Sequence, residues 1–255
     1  MDYYQDKNEA GLDLEKLEKA FSEGVKLFLF SNPNNPTGAI YSEEEILTIA
    51  SLAKKYNVTL LVDELYSRQI FDGHSYTHLC AQKEIPDNLI TIIGPSKTES
   101  LSGFRLGTAF GSEMIIQRME KLQAIVSLRC AGYCQSVFHT WFNEPEGFME
   151  KRIAEHQKIR DDIVEVLKKH EGVKTRVTDG GSYLFTELPQ LEIPMSDFVK
   201  LLREYANVTV TPGTEFGKQF THHFRINFSQ DHDAAVAAME RVMEMMERYR
   251  KAEEK

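Results

Sequence analysis

Cysteine is scarce in this chain, with only Cys80, Cys130 and Cys134 among 255 residues. So few thiols exclude a disulfide framework and point to a reduced, cytoplasmic protein. Long apolar runs are missing too: none approaches the roughly 20 residues that a membrane-spanning helix needs. The opening residues, MDYYQDKNEAG, hold no basic segment followed by an apolar one, so no secretory signal is expected. An excess of positive charge is also absent. Thirty Lys and Arg stand against 39 Asp and Glu, a net charge of −9 spread along the chain, which argues against a nucleic-acid-binding face. There is no tandem repeat, low-complexity tract or flexible linker. What remains is an ordinary soluble globular composition, 42% hydrophobic and 27% charged, in a chain long enough for one large domain or two smaller ones.

The chain alternates helix and strand. LDLEKLEKAF has helical apolar spacing, and VKLFLF reads as a nearly continuous apolar strand. SNPNNPTG breaks the chain with two prolines and a glycine. Ser42, with Glu45 three residues later, starts a helix in a capping-box pattern that runs to about Tyr56. VTLLVD and LITII are two further strands, and RLGTAF a fourth, followed by a helix from about Glu113. Continuous apolar strands are expected to be buried on both faces of a mostly parallel α/β sheet flanked by helices. The short loop before RLGTAF allows that strand to run antiparallel.

Near residue 145 the pattern changes. NEPEGFMEKRIAEHQKIRDDIVEVLKKHEG reads as one long helix ending at Gly172. Short strands follow (VKTRV, YLFTEL, NVTVT, FRINFS), with helices from about Ser196 and from Asp233. The expectation is an incomplete large α/β domain over residues 1–145 and a small α+β C-terminal domain over 146–255. Cys130 and Cys134 are spaced as on one helix face, but no further ligands cluster near them, so no metal site is expected. MERVMEMMERYR has helical spacing and reads as core.

In open parallel sheets, ligands bind beyond the carboxyl ends of the strands. VKLFLF is followed by Asn35, VTLLV ends in Asp63 with Tyr66 three residues on, and LITII ends shortly before Lys97. An amide, a carboxylate, a phenol and an amine thus emerge at one sheet edge, with Arg105 close behind. Each alone has an ordinary reading: a turn former, a helix cap, a half-buried aromatic, a solvated lysine, a surface ion-pair partner. Lys97 is not the lysine of a phosphate-binding P-loop, because the two glycines which that loop requires are replaced by Ser96 and Thr91. The combination suits a cofactor with an aldehyde, a ring nitrogen, a phenolic oxygen and a phosphate. An amine bonds the aldehyde, a carboxylate keeps the ring nitrogen protonated, neutral donors serve the phenolic oxygen and an arginine fork grips the phosphate.

SNPNNPTG, then DELY, then SKTESLSGFRLG, in this order across residues 31–107, resembles the class I/II aminotransferases, pyridoxal-phosphate enzymes of fold type I. Weaker likeness continues through GGSYLFTELP, TPGTEFG and HFRINFS. The resemblance implies pyridoxal 5'-phosphate as cofactor and Lys97 as the catalytic Schiff-base lysine. It implies Asp63 as the ring-nitrogen partner, Asn35 and Tyr66 as phenolic-oxygen donors, and Ser96 and Arg105 as phosphate ligands. Arg225 resembles the arginine that clamps the substrate carboxylate; an arginine inside an apolar strand is costly without an anionic partner. The implied activity is transfer of an amino group between an L-amino acid and a 2-oxo acid, in a homodimer when full length, with neither nucleic acid nor membrane as partner. The same site residues also serve lyases and synthases of this fold, and aminotransferase-like sensor domains of transcription regulators.

Two departures stand out. Gly94 occupies a position where many members carry a phosphate-binding serine. The chain also resembles only the C-terminal two-thirds of an aminotransferase, so that a truncated sequence is expected rather than a complete minimal enzyme.

Overall fold

The computed structural model describes residues 11–252; of MDYYQDKNEAG, the segment on which the secretory-signal reading rests, residues 1–10 lie outside the described residues. The chain divides into two compact units. The first runs to Asn35, continues over Ala39–Met149 and takes in Asp179–Gly181. The second comprises Pro36–Gly38, Glu150–Thr178 and the chain from Ser182 onward.

In the first unit, helix α1 (Leu14–Ser22) starts where the Asp13 carboxylate accepts the Lys16 N–H at 3.0 Å, satisfying one of the donors a helix start leaves open. Helix α2 (Glu43–Tyr56) has the expected capping box. Ser42 Oγ accepts the Glu45 N–H at 3.2 Å, and Glu45 Oε2 accepts the Ser42 N–H at 2.7 Å. The helix ends on Asn57 in the left-handed region, φ 53°, which asparagine tolerates.

Strands β1 (Leu27–Ser31), β2 (Thr59–Asp63) and β3 (Leu89–Ile93) pair in parallel in that order, and β4 (Thr108–Gly111) pairs antiparallel to β3. The fourth strand therefore reverses, as its short connection allows, and begins three residues after Arg105. Ser31, Asp63 and Ile92 form one row across the sheet, and Leu29, Leu61 and Ile90 another.

One face of this sheet carries the core. Phe28, Phe30, Leu60, Val62 and Leu89 cluster with Leu17 and Phe21 of α1 and with Ile46, Ile49 and Ala53 of α2. The other face corrects the expectation of burial on both sides. Leu27 and Leu29 are 56% and 58% exposed, and burial along β1 and β2 alternates. The apolar runs were read as two-sided, but among the described residues helices cover only the side facing α1 and α2. Helix α3 (Glu113–Val126) has no buried residue, and Met114, Leu122, Ile125 and Val126 are exposed. Cys134 lies in the short helix α4 (Gly132–Gln135), whereas Cys130 precedes it, so the two thiols do not share a helix.

The second unit has an antiparallel sheet in the order β5 (Lys174–Thr175), β6 (Tyr183–Glu187), β8 (His223–Asn227), β7 (Thr211–Pro212). NVTVT contributes only its last residue to β7. Helices α5 (Phe148–Lys168), α6 (Met195–Tyr205) and α7 (His232–Tyr249) complete it. Ile163 and Leu167 of α5, Phe198 and Leu202 of α6, and Phe224 of β8 are fully buried. So are Met243 and Met246 of α7, which places the methionine-rich stretch in the core.

Candidate active site

Because β1, β2 and β3 are parallel, they deliver their following loops to one edge of the sheet. Asn35 is exposed in the first loop; its N–H donates to Ser31 Oγ at 3.0 Å, while Asn34 N–H donates to Ala39 O at 2.7 Å and closes the turn.

Asp63 is the last residue of β2 and half-buried. Its Oδ1 accepts the Leu65 N–H at 3.1 Å, the local turn contact an aspartate at a strand end commonly makes. Among the described residues, no hydrogen bond engages its other oxygen. Burial pushes the Asp63 carboxyl above its usual range, against the opposing pull of the Leu65 N–H and of the Lys97 charge. Lys97 therefore lies within electrostatic reach of Asp63, although 34 residues separate them in sequence.

Lys97 itself is exposed on a tight turn held by Ser100 N–H to Lys97 O (3.3 Å) and Leu101 N–H to Pro95 O (3.1 Å). Tyr66 is 8% exposed. Nearby, Gln69 and Gly181 hold each other through Gly181 N–H to Gln69 O (2.9 Å) and Gln69 Nε2 to Gly181 O (2.8 Å).

Ser96 Oγ donates to Leu106 O at 3.4 Å, which sets the hydroxyl beside the segment carrying Arg105. Arg105 sits in the left-handed region, φ 51°, at the end of a 3-10 turn over Ser102–Phe104, and its guanidinium donates to Ser102 O at 2.8 Å. Gly94 has a steric reason. A Cβ there would lie 3.1 Å from Leu106 O and 3.3 Å from Gly107 Cα, so the glycine lets the two segments approach closely.

Arg225 belongs to the second unit. It pairs with Thr211 and Phe185 across the sheet, and its guanidinium lies 4.3 Å from the Tyr183 ring centre and 5.0 Å from that of Phe216. One guanidinium nitrogen donates to Thr211 Oγ1 at 3.3 Å. Two aromatic faces offset part of the cost of half-burying this charge and restrict its rotation.

Several neighbours of Asp63 were not singled out in the sequence. Glu64 is 2% exposed and meets His78 Nδ1 at 2.5 Å; that bond raises the imidazole pKa. Tyr76 donates its hydroxyl to Asn32 O at 2.7 Å. Its phenol is pushed far up, first by burial and then by the charges of Glu64, Cys80 and Asp63. The doubled acid in DEL was the only available signal, and its partner lies 14 residues on.

The family model "Aminotransferase class I and II" matches residues 1–242. An aspartate aminotransferase of Musicola paradisiaca is 30% identical over 95% of this chain and 61% of its own length. One of Pyrococcus horikoshii is 31% identical over 91% of this chain and 59% of its own. The crystal structure of an aspartate aminotransferase from Rhodobacter sphaeroides superposes with a TM-score of 0.94 at 57% identity, covering 98% of this chain and 64% of that one. The chain thus spans about three fifths of the length of its relatives. With its four-stranded mixed sheet, its antiparallel second sheet and the ordered motifs at the strand ends, the chain belongs to the class I and II aminotransferases, the pyridoxal-phosphate-dependent family.

Proposed function

We propose that the protein to which this chain belongs is a pyridoxal-phosphate-dependent aminotransferase moving an amino group between an L-amino acid and a 2-oxo acid. The observation that carries this reading is the delivery of Asp63, at the end of β2, and Lys97, in the loop after β3, to one edge of a parallel sheet. A half-buried carboxylate with one oxygen not hydrogen-bonded among the described residues, set near an exposed amine, is the donor set that the cofactor's ring nitrogen and aldehyde require. The names of the relatives favour transfer over elimination and over a sensor domain, and make aspartate the first substrate to assay.

When bound, the cofactor supplies an electron sink for the charge left at the substrate's Cα. Asp63 would keep a proton on the ring nitrogen by a charge-assisted hydrogen bond. Lys97 Nζ is the amine that would hold the aldehyde, and, when free and neutral, it would serve as the base for the substrate's Cα proton. Asn35 and Tyr66 would donate to the phenolic oxygen, while Ser96 and Arg105 would hold the phosphate. Arg225 is the residue whose planar fork would grip a substrate carboxylate.

In this reading residues 1–145 are the cofactor-binding domain and residues 146–255 the small domain. The complete protein is a cytoplasmic homodimer acting in amino-acid biosynthesis. Three free thiols support the compartment, and the apolar side chains displayed by α3 support a partner subunit. Among the described residues no helix is long and apolar enough to cross a membrane.

The test is covalent trapping. The chain is mixed with pyridoxal 5'-phosphate, reduced with borohydride and mapped by mass spectrometry. A single pyridoxyl group on Lys97, absent in Lys97→Ala, is expected. Labelling spread evenly over surface lysines would overturn the proposal.

A further inference from the structure

Opposite charges stand two residues beyond two of the site residues. Arg68 follows Tyr66 in the loop after β2, and Glu99 follows Lys97 in the loop after β3. Arg68 Nη1 lies 2.6 Å from Glu99 Oε1. The Glu99 side chain is 4% exposed, and its second oxygen accepts the Thr98 hydroxyl. Arg68 is held on its other side by Glu144, Nη1 to Oε1 at 2.8 Å and Nη2 to Oε2 at 3.1 Å. Its guanidinium carbon lies 4.4 Å from the centre of the Phe142 ring.

A buried pair of this kind contributes little net stability, because desolvating both charges offsets their attraction; removing one partner alone is strongly destabilising. What such a pair does give is geometry. The fork of Arg68 is fixed by Glu144 and Phe142, and it fixes the carboxylate two residues from Lys97 in turn. The loop of Lys97 is thereby fastened to the loop of Asp63 and Tyr66 at a point close to both. Such fastening matters where two groups must keep a set separation, since displacements near an ångström cost up to a hundredfold in rate.

We propose that the Arg68–Glu99 ion pair is a positioning device for Lys97, holding its amine in register with Asp63 and Tyr66. This rests on the reading of Lys97 as the cofactor's amine partner. The pair acts through Lys97 and touches neither cofactor nor substrate.

The test compares the unaltered chain with Arg68→Lys, Glu99→Gln and the uncharged double variant Arg68→Met/Glu99→Leu. Two readouts are taken: the thermal midpoint, and the rate at which pyridoxal 5'-phosphate with borohydride modifies Lys97, quantified by mass spectrometry. The double variant leaves no charge stranded at Glu99, and Glu144, which loses Arg68, still accepts the Phe142 N–H; trapping at Lys97 is expected to slow by about 10- to 100-fold. Arg68→Lys keeps the charge but loses the fork, and is expected to slow trapping several-fold at an unchanged midpoint. Both variants trapping as fast as the unaltered chain would overturn the proposal. Should the double variant fail to fold, Arg68→Lys decides alone, and an unchanged rate there overturns it. If the unaltered chain is not modified at Lys97, the functional reading falls first and this inference with it; normal labelling with indifferent variants removes only the inference.

Discussion

Replacing Asp63 with asparagine separates a structural aspartate from a chemical one. The Asp63 oxygen that accepts the Leu65 N–H at 3.1 Å becomes an amide oxygen of the same shape, so the turn keeps its hydrogen bond. Lost is the attraction to Lys97, worth at most about 1 kcal/mol for a lysine in solvent. Gained is relief from holding a half-buried charge, which burial already disfavours. The two effects oppose each other, so urea unfolding followed by circular dichroism should place Asp63→Asn within about 1 kcal/mol of the unaltered chain. The sign with pH follows from the direction of the shift. A carboxyl raised above its ordinary 3.8 contributes stability that is complete below that value and lost as pH rises through its folded value. Asparagine cannot ionise, so the variant gains relative to the unaltered chain at neutral pH, and the two converge in acid. Cofactor affinity should move much further. A hydrogen bond to a charged group is worth about 1.5–3 kcal/mol, so absorbance titration with pyridoxal 5'-phosphate should show binding weakened by roughly 10- to 150-fold. Loss of several kcal/mol of stability with unchanged affinity would show that Asp63 is a turn residue, and the chemical argument would fail.

Two further outcomes follow from the packing. A Cβ at Gly213 would lie 2.5 Å from Phe220 O and 2.7 Å from His223 O, backbone atoms that cannot swing aside, so Gly213→Ala should cost about 1–3 kcal/mol or more, read as a lowered thermal midpoint. The Glu144 carboxyl is held down at about 2, from 4.5, chiefly by its hydrogen bond from Arg68. Its contribution is present above 4.5 and lost as pH falls toward 2, and solvent screening limits it to about 1 kcal/mol. Glu144→Gln should accordingly flatten that part of the acid-unfolding curve.

Most element boundaries were legible in the sequence because they rest on local chemistry. Ser42 and Glu45 cap α2 through atoms three residues apart, and LITII matches β3 residue for residue. The short loop before β4 allows either direction, and the strand runs antiparallel. Asn35, Asp63, Tyr66 and Lys97 could be proposed together because parallel strands bring their ends to one edge, a rule that needs no knowledge of contacts. What escaped was set by contact. The exposed face of β1 was invisible, since VKLFLF reads the same whether one face or both are covered. Arg68, Glu99 and Glu144 drew no notice in the sequence; Glu99 and Glu144 lie 31 and 76 residues away from Arg68, and only the folded loops bring them together. The stacking of Arg225 on Tyr183 and Phe216 was hidden for the same reason.

The row of Ser31, Asp63 and Ile92 makes the sheet a ruler for the acid. Sliding β2 by one residue against its neighbours would turn the carboxylate to the packed side, and sliding it by two would carry it nearly 7 Å along the strand. Leu60 and Val62, buried against the helices beside Phe28 and Phe30, forbid the first slip, which would turn them outward. The height of a single oxygen atom is thus guarded by hydrocarbon that never meets a ligand.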